Sequence, residues 1–216
     1  TPKPSSAASD VYKRQIETLP FQDVVYWREL TQIFDWSLSH VQETYSICWG
    51  AQAALHHFHG VPKHELPQKV FGVFPHHVSG GRDALMRGFN DKIAVPVSRH
   101  TEVRREDLPA QSGLEILLDS EESGLCLIRD ANRRQTYMFN HLEYDTGTLA
   151  DEYYRDVATG ADIQVPAYYF PEDDPQKEPS NNWRAHGSLM FCNWIYDLYQ
   201  SASFELVDIP QGTQSR

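Results

Sequence analysis

Cysteine is scarce in this sequence: Cys48, Cys126 and Cys192 are the only three in 216 residues, an odd number at wide spacing. That excludes a disulfide-stapled scaffold, which needs an even set in a short chain, and a zinc site built on a C-x-x-C pair. The expectation is a reduced, cytoplasmic protein in which one thiol is reactive and the others pack. Long apolar runs are also missing, so no membrane-spanning helix is predicted and no membrane partner is expected. The first residues show no basic start leading into an apolar core, so they do not read as a secretion signal. Positive charge is in deficit, with 19 Lys+Arg against 30 Asp+Glu and a net charge of −11. A sequence-independent nucleic-acid binder needs a cationic face, so nucleic acid is not an expected partner. What is present is a 40% hydrophobic, 12% aromatic chain with 23% charged residues, too apolar for a disordered tail and of a length for one domain.

Residues 1–15 are small, polar and Pro-rich, with no apolar period, and read as a foreign or unstructured leader. The regular pattern begins near Ile16, so a catalytic region is expected over 16–200, with a tail over 201–216. Between Asp23 and His40, Val24, Trp27, Leu30, Ile33, Phe34 and Leu38 recur at three- and four-residue steps and predict a helix. Thr44 to Cys48 suits a buried strand, and it runs directly into an Ala-rich helix that Gly60 closes. Strands are predicted at Val70–Phe74, Ile93–Val97, Leu114–Leu118, Leu125–Arg129 and Thr136–Asn140. Helices follow at Thr148–Asp156 and, after a Pro-rich connection, at Trp183–Tyr199, whose apolar stripe reads as core. Strands interleaved with helices predict an α/β fold with a mainly parallel sheet.

Two places carry candidate chemistry. Cys48 stands at a strand–turn–helix junction, Ser46-Ile47-Cys48-Trp49-Gly50. A nucleophile on such a turn projects into a cleft, and the backbone N–H groups of the helix start face a developing oxyanion. A lone cysteine after a strand is, however, more often a packing residue. The second place is Asn140-His141-Leu142-Glu143, a histidine two residues from a glutamate after a strand. A thiol nucleophile needs such a base, and the base needs an orienting carboxylate. In parallel α/β sheets ligands gather at the carboxyl ends of strands, where Cys48 and His141 are both expected. The histidines His56, His57 and His59 on one helix, and His76-His77 after a strand, lack the geometry of a metal site, and no metal is expected.

Several further motifs, in order, give a resemblance. Ile47 to Leu55, Gly60-Val61-Pro62-Lys63, Lys69 to Val73, Ser98-Arg99-His100-Thr101-Glu102, His141 to Asp145, Tyr168-Tyr169-Phe170-Pro171 and Asn182 to Gly187 all look like the homoserine O-acyltransferases of methionine biosynthesis. The resemblance covers about Ile16 to Tyr199. It implies a flavodoxin-like sheet of the class I glutamine amidotransferase type, with N-terminal strands of that sheet lying outside this chain. It further implies Cys48 as nucleophile, His141 as base and Glu143 as its partner. Lys69, Ser98 and Arg155 would bind substrate, with Arg155 on the homoserine carboxylate, and the Trp49 N–H would serve the oxyanion. The position of Glu17 would choose the acyl group, a glutamate accompanying acetyl-CoA and a glycine succinyl-CoA. The partners implied are L-homoserine and acetyl-CoA as co-substrate, with no other cofactor, and a homodimer is compatible with the family. Succinyl transfer, a cysteine hydrolase of the same fold and an inactive fragment stay open as alternatives.

Overall fold

The computed structural model describes residues 16–79 and 83–202; the leader at 1–15 and most of the expected tail lie outside the described residues. The β-branched and aromatic run at Thr44 forms β1 (Thr44–Ile47), and the chain turns at Cys48 into a helix. Five further strands follow: β2 (His64–Val78), β3 (Lys92–Glu102), β4 (Leu114–Ser120), β5 (Gly124–Asp130) and β6 (Gln135–Met138). They make one sheet in the order β1-β6-β5-β4-β2-β3. Among the described strands only β1 and β6 pair in parallel and every other strand pairing is antiparallel, with one isolated parallel bridge between Gly72 of β2 and Ala167. The α/β class stands, but the sheet is mixed rather than mainly parallel. The physical reason is connection length: β4, β5 and β6 are joined by turns too short for a parallel crossover, which needs a dozen or more residues.

Four helices flank the sheet: α1 (Trp27–His40), α2 (Trp49–His59), α3 (Thr148–Ala158) and α4 (Arg184–Ser201). The predicted helix from Asp23 begins only at Trp27, because Phe21–Asp23 forms a separate 3₁₀ turn that buries Phe21. Gly60 ends α2 in the left-handed conformation (φ 70°), and its N–H caps the His56 carbonyl at 2.8 Å. β2 is three times the length expected, so His76 and His77 lie within a strand, not after one. In α4 the expected stripe is corrected as well. Ile195 and Tyr199 are exposed, while Gly187, Met190 and Asn193 form the buried line.

Tyr137 and Met138, neighbours in β6 and so on opposite faces, head two apolar clusters. Tyr137 packs with Phe139, Ala51, Ala54 and Leu55 of α2. Met138 packs with Cys126, Leu149, Trp183 and Met190. Trp183 is fully buried and donates its indole N–H to the Tyr144 carbonyl at 2.8 Å. A Cβ at Gly187 would overlap the Leu142 carbonyl oxygen, so glycine there lets α4 press against the segment carrying His141 and Glu143. Cys126 is buried packing as expected, but Cys192 is exposed on α4. No helix among the described residues is long and apolar enough to cross a membrane.

Candidate active site

The one parallel pair of the sheet brings the candidate catalytic residues together. Ile47 lies opposite Met138 in the β1–β6 register, so Cys48 and residues 139–141 leave the carboxyl ends of adjacent strands. The Cys48 N–H bonds the Met138 carbonyl at 2.7 Å, while the Cys48 carbonyl accepts from Ala51 and Gln52 to open α2. Between these bonds Cys48 adopts φ 54°, ψ −126°, a conformation in which non-glycine residues are strained. Trp49 is the first residue of α2, where backbone N–H groups have no partner inside the helix.

His141 is buried and Glu143 is one-third exposed, and His141 Nδ1 donates to Glu143 Oε1 at 2.6 Å. On its other side Cys48 lies close enough to act on the imidazole's titration. Burial pulls the imidazole pKa down, but the pull of Cys48 and Glu143 outweighs it, and the pKa is pushed up to about 10. The ring also stacks on Tyr144, with centroids 4.1 Å apart and planes 16° apart. His141 is thus oriented by a carboxylate and an aromatic face with the Cys48 sulfur at the end of the neighbouring strand, an arrangement that can move a proton to and from a sulfur nucleophile.

Lys69, Ser98 and Arg155 meet at a residue the sequence reading missed. Glu152 Oε1 accepts from Lys69 Nζ at 2.5 Å and from Ser98 Oγ at 2.8 Å, with Arg155 Nη2 at 3.9 Å. Asp156 completes the group, 3.0 Å from Arg155 Nη2 and 3.5 Å from Lys69 Nζ. The available signal was the spacing of Glu152, Arg155 and Asp156, which a helix places on one face. Tyr144, stacked on His141, feels this group as well: burial raises the pKa of its phenol, and the charges of Glu152, Cys48, Glu143 and Glu17 all add to the effect.

Glu17 is held rigidly. Its Oε1 accepts from the His100 N–H at 2.6 Å, the Thr101 N–H at 3.0 Å and Thr101 Oγ1 at 3.2 Å. The single Thr101 hydroxyl hydrogen is shared with Gln52 Oε1, 2.8 Å from Oγ1, which ties the Glu17 pocket to the helix that begins beside Cys48. Lys63, a second residue missed, donates to the Glu17 carbonyl and lies 4.6 Å over the Phe21 ring. Its burial, opposed by the Glu17 charge, lowers its pKa to about 8.

Among the described residues no cluster of three or more His, Cys, Asp or Glu side chains could hold a metal ion. The helical histidines take separate partners: His57 pairs with Asp35 at 2.7 Å and His59 with buried Asp130 at 2.9 Å.

Comparison with known proteins places the chain in a family. The chain is 52% identical over 199 residues to the homoserine O-acetyltransferase of Chelativorans sp. (strain BNC1), covering 92% of this chain and 64% of that protein. It is 51% identical over 191 residues to the homoserine O-acetyltransferase of Brucella canis, covering 88% of this chain and 62% of that one. The chain therefore spans less than two thirds of the length of these relatives. Its fold is similar to a glutamine amidotransferase of Thermotoga maritima, with a TM-score of 0.60 at 15% identity over 82% of this chain and 71% of the other. A putative GMP synthase subunit of Thermoplasma acidophilum aligns with a TM-score of 0.54 at 16% identity, over 80% and 65% of the two chains. The profile of the homoserine O-succinyltransferase (HTS) family matches residues 13–204, nearly the whole sequence, and by that match the chain belongs to this family.

Proposed function

We propose that this chain carries the catalytic centre of a homoserine O-acetyltransferase that works through an acyl-cysteine. The observation that carries the reading is His141, hydrogen-bonded to Glu143 and leaving the carboxyl end of the strand beside Cys48, together with the Lys69–Ser98–Glu152–Arg155 group. In the first half-reaction the Cys48 sulfur attacks the thioester carbon of acetyl-CoA. The Trp49 N–H, at the start of α2, stabilises the oxyanion of the tetrahedral intermediate. The carbon–sulfur bond to CoA breaks, and His141 delivers its proton to the departing thiolate. In the second, the homoserine hydroxyl attacks the acetyl-cysteine, His141 takes the hydroxyl proton, and Cys48 is released. Both half-reactions start from thioesters, so little free energy is lost between them. Glu143 keeps the imidazole in one orientation and favours its cationic form throughout.

Arg155 suits the homoserine carboxylate, since its planar fork matches two oxygens. A substrate carboxylate there would compete with Asp156 for the guanidinium. Lys69 and Ser98 shape the same subsite through Glu152. Glu17 supports acetyl over succinyl transfer: three hydrogen bonds hold its carboxylate still, and it would repel the second carboxylate of a succinyl group.

The test is incubation of the chain with acetyl-CoA, following free CoA and the intact mass. The expected result is an acetyl adduct on Cys48 that homoserine discharges as O-acetyl-homoserine. CoA release that ignores homoserine would make the protein a hydrolase, and the absence of any adduct at high acetyl-CoA would overturn the nucleophile.

A further inference from the structure

The three residues that follow β6 are each tied to a different strand. The Phe139 N–H bonds the Cys126 carbonyl of β5 at 2.7 Å, and the His141 N–H bonds the Pro96 carbonyl of β3 at 2.9 Å. Between them the Asn140 side chain, fully buried, reaches His76 of β2, with Nδ2 2.9 Å from His76 Nε2. His76 is itself fully buried. Its Nδ1 lies 2.9 Å from the Phe74 carbonyl, so Nδ1 carries the hydrogen and Nε2 is the acceptor for Asn140 and for Ser123 Oγ at 3.2 Å. Behind Ser123 stands Arg99, 2% exposed, which donates to the Ser123 and Thr101 carbonyls. Thr101 in turn holds Glu17. Neither His76 nor Asn140 is used by the chemistry above, yet burying such polar side chains is costly unless they are paired. The Asn140 amide nitrogen is paired with His76, while its Oδ1 has no hydrogen-bond partner among the described residues.

We propose that His76 is a positioning residue for His141: acting through Asn140, it fixes the segment that presents the imidazole to Cys48. The inference rests on the Cys48–His141 pairing of the proposed function. His76 supplies an acceptor at one point in space. Leucine at that position takes away the nitrogen acceptor of the buried Asn140 amide and leaves it only the weak Cys126 thiol, and the segment relaxes to satisfy it. Glutamine places its carbonyl oxygen near the Nε2 position and keeps the contact. The tertiary fold makes this arrangement specific, because β2, β3 and β5 each hold one of three consecutive residues.

The experiment uses the full chain and reads the rate of Cys48 alkylation by iodoacetamide at pH 7, resolved from Cys126 and Cys192 by peptide mass. All variants are compared at a temperature where thermal melts show them folded. His76→Leu and Asn140→Ala are expected to slow Cys48 alkylation about ten- to a hundred-fold, the scale of a misplaced catalytic group. His76→Gln is expected within about two-fold of the parent, and its advantage over His76→Leu is expected to vanish when Asn140 is also alanine. Parent-like rates in Asn140→Ala, or a His76→Gln rate as slow as His76→Leu, would overturn the inference while leaving the nucleophile intact. Should His76→Leu fail to fold, the Asn140→Ala and His76→Gln rates decide alone. A parent chain whose Cys48 reacts no faster than exposed Cys192 would overturn both the pairing and the inference.

Discussion

Replacing Cys48 by glycine separates the chemistry of the thiol from the strain of the turn that carries it. Cys48 is held at φ 54°, ψ −126° by its N–H bond to Met138 and by the bonds its carbonyl receives from α2. A side chain with a Cβ in so sparsely populated a conformation costs about 1–3 kcal/mol, and glycine adopts it freely. Alanine keeps the Cβ and hence the strain, so Cys48→Ala is the proper reference, since both variants lose the sulfur. At an ordinary position glycine would be less stable than alanine by about 0.5–1 kcal/mol, through the larger entropy of the unfolded chain. Here relief of strain outweighs that term, and Cys48→Gly is expected to be more stable than Cys48→Ala by about 1 kcal/mol. For a chain of this length that corresponds to roughly 2–4 °C in Tm. The assay is urea unfolding of both variants at pH 7 and 25 °C, followed by tryptophan fluorescence. Equal slopes with a higher midpoint for glycine would bear the reasoning out. An alanine variant more stable than glycine by half a kcal/mol or more would refute it, and the turn would then not be strained. Neither variant should form an acetyl adduct.

Glu17→Gly should shift donor use toward succinyl-CoA, read as the ratio of kcat/KM for the two donors; an unchanged ratio would remove Glu17 as the selector. Arg155→Ala should raise the KM for homoserine about ten- to a hundred-fold, the worth of a lost charge-assisted bond. Acetylation of Cys48 by acetyl-CoA alone should keep its rate, and if that half-reaction also collapsed, Arg155 would not be a homoserine contact. Acid stability tests His76, whose pKa burial lowers to about 4, with nearby Arg99 and His77 opposing its protonation and Asp119 favouring it. The unfolded chain takes up this proton below about pH 6.5 and the native state does not, so stability is lost as pH falls from about 6.5 to 4. At about 1.4 kcal/mol per pH unit the loss reaches roughly 3 kcal/mol. Urea unfolding at pH 7 and pH 4.5 should show this drop in the parent and a smaller one in His76→Gln, whose amide does not titrate; identical drops would show that another group carries the acid sensitivity.

Particular residues explain what could be read along the chain. Cys48 was legible because a strand passes without a break into an Ala-rich helix, a local pattern. His141 and Glu143 were legible because the pair is two residues apart and follows an apolar run. Glu152 was not singled out, since acidic residues on helices are common and its meaning comes from Lys69 and Ser98, which stand 83 and 54 residues away. Strand direction was misjudged for a similar reason: the apolar runs at Leu114, Leu125 and Thr136 look alike whether their neighbours are parallel or antiparallel. His76 was set aside as one of several histidines near strands, and only its burial against Asn140 and Ser123 distinguishes it.

By itself the sequence determined the α/β class, the strand–turn–helix that carries Cys48 and the order of Cys48, His141 and Glu143 along the chain, because these depend on neighbours within a few residues. The tertiary structure alone decided that β1 and β6 are the one parallel strand pair among the described strands and that one carboxylate gathers Lys69, Ser98 and Arg155. It also decided which histidine stays buried and which faces the thiol. The physical reason is the same in each case: hydrogen bonds, charges and burial act through space, and the chain folds together residues that its own order keeps far apart.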